Sequence, residues 1–259
     1  MKLTFVYKME DDYWNDGLKR AIDVLGESWN VRKQNGYWKP YITDFILVWG
    51  AFGSNQDSWI CDLPFKKGIC VAGGLIDHPN VHKYDVVFVE TKWHQREFRK
   101  IGINAKVAFG TNTDLFYNMG MPRTIDYLYP AAFALWKRHE KFLEHMGSKV
   151  AVGYIQPGGH EKECYERCIE HPETTVLPRV KPDVLAWLYN QAKSVAIPST
   201  INGGGERTVL EALACGCEVS VASDNPKLRE LLSTHGGGVT NHLDYAHALK
   251  EGIREVYEA

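Results

Sequence analysis

Short apolar runs alternate with amphipathic stretches along almost the whole chain. That alternation predicts parallel strands joined by helices, with the sheet covered on both faces. Residues 3–7, 45–49, 68–72, 86–89 and 105–109 are apolar or β-branched runs of strand length. Between the first two, residues 17–25 carry Leu18, Ile22 and Leu25 at helical spacing. Residues 91–101 form a second predicted helix, which Gly102 ends. The connections are polar or glycine-rich: an acidic, aromatic loop with Asp11, Asp12, Tyr13 and Trp14, a small-residue turn at 50–55, and Gly73-Gly74 leading to Asp77 and His78.

The pattern breaks at residues 117–123, where Gly120 and Pro122 read as a linker, and then restarts. Strands are predicted at 124–129, 149–154, 174–177, 194–198 and 218–222, and helices at 137–146, 161–170, 182–193, 225–233 and 245–257. A further helix carries the stripe Val209, Leu210, Leu213 and Ala214 and stops at Gly216. Polar or glycine turns fall at 156–160 and 236–238. The expected fold class is α/β, with two Rossmann-like α/β/α domains facing across a cleft and a compact N-terminal domain. The expected domains are 1–118 and 119–259, with the last helix packing back on the first domain.

Composition adds bounds rather than direction. The 259 residues are 44% hydrophobic and 24% charged, with a formal net charge of −2, which is ordinary for a soluble globular protein. Basic and acidic residues are balanced in both halves, 15 against 14 up to Gly120 and 15 against 18 after it, so there is no global footprint for nucleic acid. The apolar run at the start is too short for a signal peptide, and no stretch reaches membrane-spanning length. Six cysteines make no disulfide framework. Cys164/Cys168 and Cys215/Cys217 lack partners at metal-site spacing, so reduced, structural thiols and a cytoplasmic setting are expected.

The densest chemistry lies at residues 196–217, A-I-P-S-T-I-N-G-G-G-E-R-T-V-L-E-A-L-A-C-G-C. A strand end, three glycines and a helix start together make a place to hold an anion. The first N–H groups of a helix lack partners within it, and its dipole favours negative charge there. Gly203, Gly204 and Gly205 let backbone approach a phosphate closely. Glu206 and Glu211 bracket the helix start and can accept hydrogen bonds from sugar hydroxyls. The combination suits a ligand that is part phosphate and part polyol, such as a nucleotide sugar. The same spacing also fits a plain flexible loop followed by a solvated helix face.

Three ordered segments decide in favour of the first reading. Residues 110–116, G-T-N-T-D-L-F, resemble the N-G-V-D-x-x-x-F segment of GT-B glycosyltransferases of the retaining family four. Residues 129–139 resemble that family's Y-x-G-R-x-x-x-x-K-G/R segment, and Pro198-Ser199 followed by Glu211-Ala-Leu-Ala-Cys-Gly216 resembles its P-S…E-A-x-A-x-G signature. The resemblance implies an acceptor-side first domain and a nucleotide-sugar-binding second domain. It implies that Glu211 binds ribose hydroxyls and that Thr208 and Val209 offer N–H groups to the diphosphate, with Gly204, Gly205, Arg207 and Ser199 around it. Lys137 would neutralise the departing phosphate. Arg179 and Val180 would cradle the nucleobase, and Asp77 and His78 would face the donor sugar. The aromatic loop at Asp11, Asp12, Tyr13 and Trp14 would line the acceptor side. No cofactor is expected beyond the donor itself, a UDP-sugar first among candidates. No metal is expected either, because no Asp-x-Asp motif stands at a suitable place.

The chain also departs from that pattern. Gly203 stands where the family has its first Glu, and Glu206 is displaced from it by three residues. Ala131 and Ala132 replace the Gly-Arg pair, leaving Arg207 to supply the lost positive charge. His139 reads as a polar helix start. The expected activity is sugar transfer with retention to a hydroxyl of a glycan or small molecule, or of hydroxymethylated DNA. A sugar-nucleotide 2-epimerase and a silent nucleotide-sugar binder remain the rival readings.

Overall fold

A computed structural model describes residues 1–7, 16–35, 42–49, 58–71, 80–155, 161–234 and 239–259. Asp11, Asp12, Tyr13, Trp14, Asp77, His78 and the turns at 50–55, 156–160 and 236–238 lie outside the described residues. The chain forms two compact units, Met1–Gly110 with Thr240–Ala259, and Thr111–Val239.

The first unit is built on a six-stranded parallel sheet. Its strands are β1 (Lys2–Tyr7), β2 (Asn30–Asn35), β3 (Phe45–Trp49), β4 (Lys66–Cys70), β5 (Val86–Val89) and β6 (Ala105–Val107), in the order β2-β1-β3-β4-β5-β6. Strands β3 and β5 are buried through nearly every residue, as their unbroken apolar runs require of a sheet covered on both faces. Helix α1 (Asp16–Gly26) packs against the last helix, α9 (His242–Glu258). The start of α9 is fixed by a capping box between Asn241 and Asp244. Gly252 then lets α9 sit directly on the sheet, since a Cβ there would lie 2.5 Å from the Phe88 ring. Between these elements lies a short helix, α2 (Ser58–Cys61), and α3 (Lys92–Lys100), whose N-cap Thr91 accepts from the His94 N–H.

Strand β2 has no counterpart among the predicted elements. Its sequence, N-V-R-K-Q-N, carries no apolar alternation because it is an edge strand, paired on one side only, to β1.

The second unit holds β7 (Ile125–Pro130), β8 (Lys149–Gly153), β9 (Thr174–Pro178), β10 (Ala192–Ile197) and β11 (Glu218–Val221), all parallel, in the order β11-β10-β7-β8-β9. This is a Rossmann-type order, and its direction reverses between β7 and β10. The helices are α4 (His139–Leu143), α5 (Glu161–Glu170), α6 (Pro182–Gln191), α7 (Glu206–Ala214) and α8 (Pro226–Thr234). Residues 117–123 are tied into this unit. The Met119 N–H donates to Asn190 Oδ1 (2.7 Å), Asn190 Nδ2 donates to the Tyr117 carbonyl (2.9 Å), and Arg123 donates to the Cys215 carbonyl (2.8 Å).

The helix predicted at 137–146 is shorter and starts later. A 3₁₀ turn covers Leu135–Lys137, Arg138 takes the left-handed conformation (φ 52°, ψ 50°), and α4 begins at His139. A non-glycine residue in that region costs about 1–2 kcal/mol. Here the Arg138 guanidinium makes two hydrogen bonds to the Asp224 carboxylate, at 2.9 and 2.7 Å. His139 is not a polar helix start but a core residue, 1% exposed, lying 4.8 Å from both the Tyr129 and Phe133 rings. Burial, and secondarily the Lys137 charge, push its pKa down to about 3, so it is neutral.

All six cysteines are free and buried. Burial pushes the Cys168 and Cys215 thiols up to about 12, so they are protonated and act as small apolar side chains. Among the described residues no helix is long and apolar enough to cross a membrane.

Candidate functional site

In an open parallel sheet, ligands bind beyond the carboxyl ends of the strands where the order reverses, here β7 and β10. Both ends are polar and tied to each other. The buried Tyr129 hydroxyl, at the end of β7, donates to the Lys137 carbonyl at 2.8 Å. A phenol has one hydrogen, so the 2.8 Å contact with Ser199, just past β10, is donated by the serine. Burial pushes the Tyr129 pKa well above its ordinary value, so it stays a neutral donor. Ser199 itself is 0% exposed, which gives its side chain a part in joining the two strand ends.

The loop after Ser199 is fixed by backbone contacts. The Thr200 N–H donates to the Trp136 carbonyl (2.9 Å), and the Gly203 N–H to the Thr200 carbonyl (2.8 Å). Asn225, fully buried before α8, donates through Nδ2 to the Ser199 and Thr200 carbonyls at 3.1 and 2.9 Å. Three glycines then serve two needs. Gly203 is crowded, since a Cβ would lie 2.6 Å from the Trp136 carbonyl oxygen and 2.8 Å from Ser199 Cβ. Gly204 (φ 64°) and Gly205 (φ 121°) take conformations that favour glycine, and a Cβ on Gly205 would lie 2.7 Å from Ile197. The missing glutamate at Gly203 is therefore built into the packing. Gly203→Glu should lower the melting temperature by several degrees, because the clash is with backbone. A thermal melt equal to that of the parent would contradict this reading of the loop.

Helix α7 starts directly from Gly205. Its two carboxylates, alike in the sequence, have different surroundings. Glu206 is 2% exposed, and its Oε1 lies 2.7 Å from the Nζ of Lys227, which is fully buried. Glu211 is 3% exposed, accepts from the Tyr189 hydroxyl at Oε2 (3.0 Å) and pairs with Arg207 Nε at Oε1 (3.3 Å). Burial first, and then the Glu211 charge, raise the Tyr189 pKa well above its usual value. Arg207 reaches from solvent, its side chain 44% exposed.

The remaining expected residues fall around this centre. The Val209 N–H is committed to the Gly205 carbonyl (3.0 Å) within the helix, whereas Thr208 lies in the first turn, its hydroxyl 3.5 Å from the Pro130 carbonyl. Lys137 Nζ and Glu206 Oε2 flank Gly204, at 3.7 and 3.5 Å from the position of an added Cβ. The exposed Arg179, just past β9, holds its guanidinium 5.4 Å from the centre of the Tyr154 ring, and Val180 beside it is half-buried. Ala131 and Ala132 run close along β8, where a Cβ on Gly153 would lie 1.9 Å from the Ala131 carbonyl oxygen.

The structure thus brings Lys137, Gly204, Gly205 and Glu206 together, with Glu211, Arg207 and Thr208 along the first turns of α7. Tyr129 entered the sequence reading only as the start of the 129–139 segment, and the supporting parts of Tyr189, Asn225 and Lys227 escaped it. Asn225 carried a signal, since Asn-Pro before an apolar-periodic run marks a helix start. For Lys227 the sequence offered none.

No protein-family model matches the chain, and no curated protein matches it in sequence. Solved structures do match. The glycosyltransferase AviGT4 of avilamycin A biosynthesis superposes with a TM-score of 0.67 at 11% identity, over 100% of this chain and 98% of that one. HepE from Anabaena, in complex with UDP and glucose, gives 0.66 at 15% identity, over 100% and 90%. The UDP-GlcNAc 2-epimerase of Methanocaldococcus jannaschii gives 0.52 at 13% identity, over 100% and 92%. With two parallel sheets of six and five strands, the chain has the GT-B fold of the glycosyltransferases it matches.

Proposed function

We propose that this protein is a glycosyltransferase that moves a sugar from a nucleoside-diphosphate sugar, a UDP-sugar first of all, to an acceptor hydroxyl. The observation that carries this reading is the joining of Lys137, the Gly203–Gly205 loop and the first turn of α7 at the point where the sheet order reverses. Backbone N–H groups at a helix start and one lysine are the donors that a diphosphate needs. Glu211 lies one turn further on, where a ribose would follow, and Arg179 and Val180 beyond β9 serve the base. HepE, a structural match, binds UDP-glucose, and this supports UDP as the nucleotide.

The transfer proceeds with retention. Lys137 stabilises the negative charge that develops on the departing diphosphate, and the leaving phosphate accepts the acceptor's proton, so no separate base is required. Asp77 and His78 contact the donor sugar, and the loop with Asp11, Asp12, Tyr13 and Trp14 receives the acceptor, a glycan or small molecule. No metal takes part, and the setting is cytoplasmic.

A screen of UDP-, GDP-, ADP- and TDP-sugars by thermal shift tests this reading. At least one, UDP-glucose first, will raise the melting temperature, because a ligand bound only by the folded state stabilises it. No shift with any of the four would overturn the proposal. The fold match to a 2-epimerase supports a second reading. Release of free nucleoside diphosphate in the presence of acceptor favours transfer, whereas an altered sugar still attached to its nucleotide favours epimerisation.

A further inference from the structure

Parallel sheets are ordinarily covered on both faces, and the second sheet departs from this at β10 and β11. The helices packed on β11 are α7 and α8, which also pack on each other and so lie on one side of it. Val219 and Val221 are half-buried on that side, while Glu218 and Ser220 alternate with them and are exposed on the other. Beside these two in register, β10 places Ser194 and Ala196 on the open side. Two clefts lie there. One, of about 660 Å³, is walled by Lys141 of α4 and by His145 just after it, and the other, of about 480 Å³, includes Tyr127 and Ser194. Both volumes are in the range of ligand sites. The His145 ring, in the first cleft, stacks at 4.3 Å on the Tyr127 ring in the second, so the two adjoin along the strands.

The charges lining each cleft cancel. Arg138 and Lys141 stand against Asp224 and Glu144 in the first, and Arg123 and Lys193 against Asp126 and Glu218 in the second. Arg138 and Asp224 pair at 2.7 Å, and Lys193 and Asp126 at 2.6 Å. Burial, and then the Lys149 charge, lower the His145 pKa, which keeps that ring neutral. Such a surface gives no net attraction to a polyanion. It does set donors beside acceptors: the Ser220 and Ser223 hydroxyls, an imidazole, ammonium groups and carboxylates. A polyol needs that mixture, because every hydroxyl both donates and accepts. We infer that this open face of β10 and β11 is a binding groove for a neutral oligosaccharide, which lies across both clefts. The groove continues into the candidate donor site along the chain, since Arg138 follows Lys137 and Pro198 precedes Ser199. Its role, to hold the glycan on which the enzyme acts, rests on the glycosyltransferase reading proposed above; the binding itself does not.

The test starts with ligand-observed NMR of the parent with maltohexaose, cellohexaose, mannohexaose and chitohexaose. At least one should bind about tenfold or more tightly than its own monosaccharide, because it spans both clefts. Its place is then read by thiol protection in Ser220→Cys. The native cysteines are all buried, whereas position 220 is exposed, so a disulfide reagent labels the new thiol selectively. The bound hexasaccharide, at about ten times its Kd, should slow that labelling about tenfold, the factor 1 + [L]/Kd. UDP should leave the labelling rate unchanged, and the labelled protein should lose the hexasaccharide while still binding UDP as the parent does. Ser223→Cys, at the far end of the first cleft, should show the same protection and takes over if Ser220→Cys does not fold. No binding of any of the four hexasaccharides, or a labelling rate that the bound one leaves unchanged, would overturn the inference. So would protection by UDP equal to that by the sugar. A parent that binds and is protected by a hexasaccharide but does not bind UDP would uphold the groove and remove the donor-site reading. One that binds UDP and no hexasaccharide would remove the groove alone.

Discussion

Lys137→Met should lower the rate of sugar transfer by about 10²–10³-fold, the usual effect of removing one group that meets charge developing in a transition state. The lysine ends a 3₁₀ turn whose backbone is held independently of its side chain. Its carbonyl accepts from Tyr129, and its N–H donates to the Ala134 carbonyl at 2.9 Å. Losing the ammonium therefore leaves the turn intact, and the melting temperature should stay within about 2 °C of the parent. Donor affinity should fall less than turnover, because the charge on a bound diphosphate is smaller than on a departing one. Steady-state kinetics with the donor that the thermal screen selects will read both numbers. Unchanged turnover would remove Lys137 from the reaction.

Glu211→Ala should act on binding and stability together. The side chain holds the buried Tyr189 hydroxyl and the Arg207 guanidinium, and the alanine leaves the tyrosine without its acceptor. An unsatisfied buried hydroxyl costs about 1–3 kcal/mol of stability. On the ligand side, a carboxylate bonded to ribose hydroxyls contributes about 1.5–3 kcal/mol, so donor affinity should fall about 10–100-fold. Glu211→Gln separates the two effects. Its amide oxygen can still accept from Tyr189, so stability is largely kept while the charged contact to the ribose is lost. Calorimetry with the donor, beside thermal melts of all three proteins, gives the comparison. An alanine variant that binds donor as well as the parent would refute the ribose role.

Much of the scaffold was legible because strands buried on both faces are written as unbroken apolar runs. Residues 45–49 and 86–89 could hardly be anything else. The polar edge strand β2 was not legible, since pairing on one side asks little of its side chains. The break before α4 was hidden for a different reason. It depends on the Arg138–Asp224 pair, which joins residues remote in sequence, and on a histidine that packs on the aromatic rings of Tyr129 and Phe133, which no helical period announces.

The candidate site divides in the same way. Its glycines and Glu211 stand at local spacings that a strand, loop and helix impose, so they could be read directly. Glu206 could be located but not understood, because the buried lysine that pairs with it, Lys227, comes from the next helix. The absence of a glutamate at Gly203 looked like a loss in the sequence. In the folded chain it is a requirement of a loop pressed against the Trp136 carbonyl, with a carboxylate regained three residues later and held from beneath.

The most direct measurement is a crystal structure of the protein with the bound nucleoside-diphosphate sugar. The account predicts the diphosphate at the start of α7, within hydrogen-bond distance of its first N–H groups and of Lys137 Nζ, with the ribose on Glu211. A diphosphate bound away from α7, with Lys137 and Glu211 untouched, would contradict it.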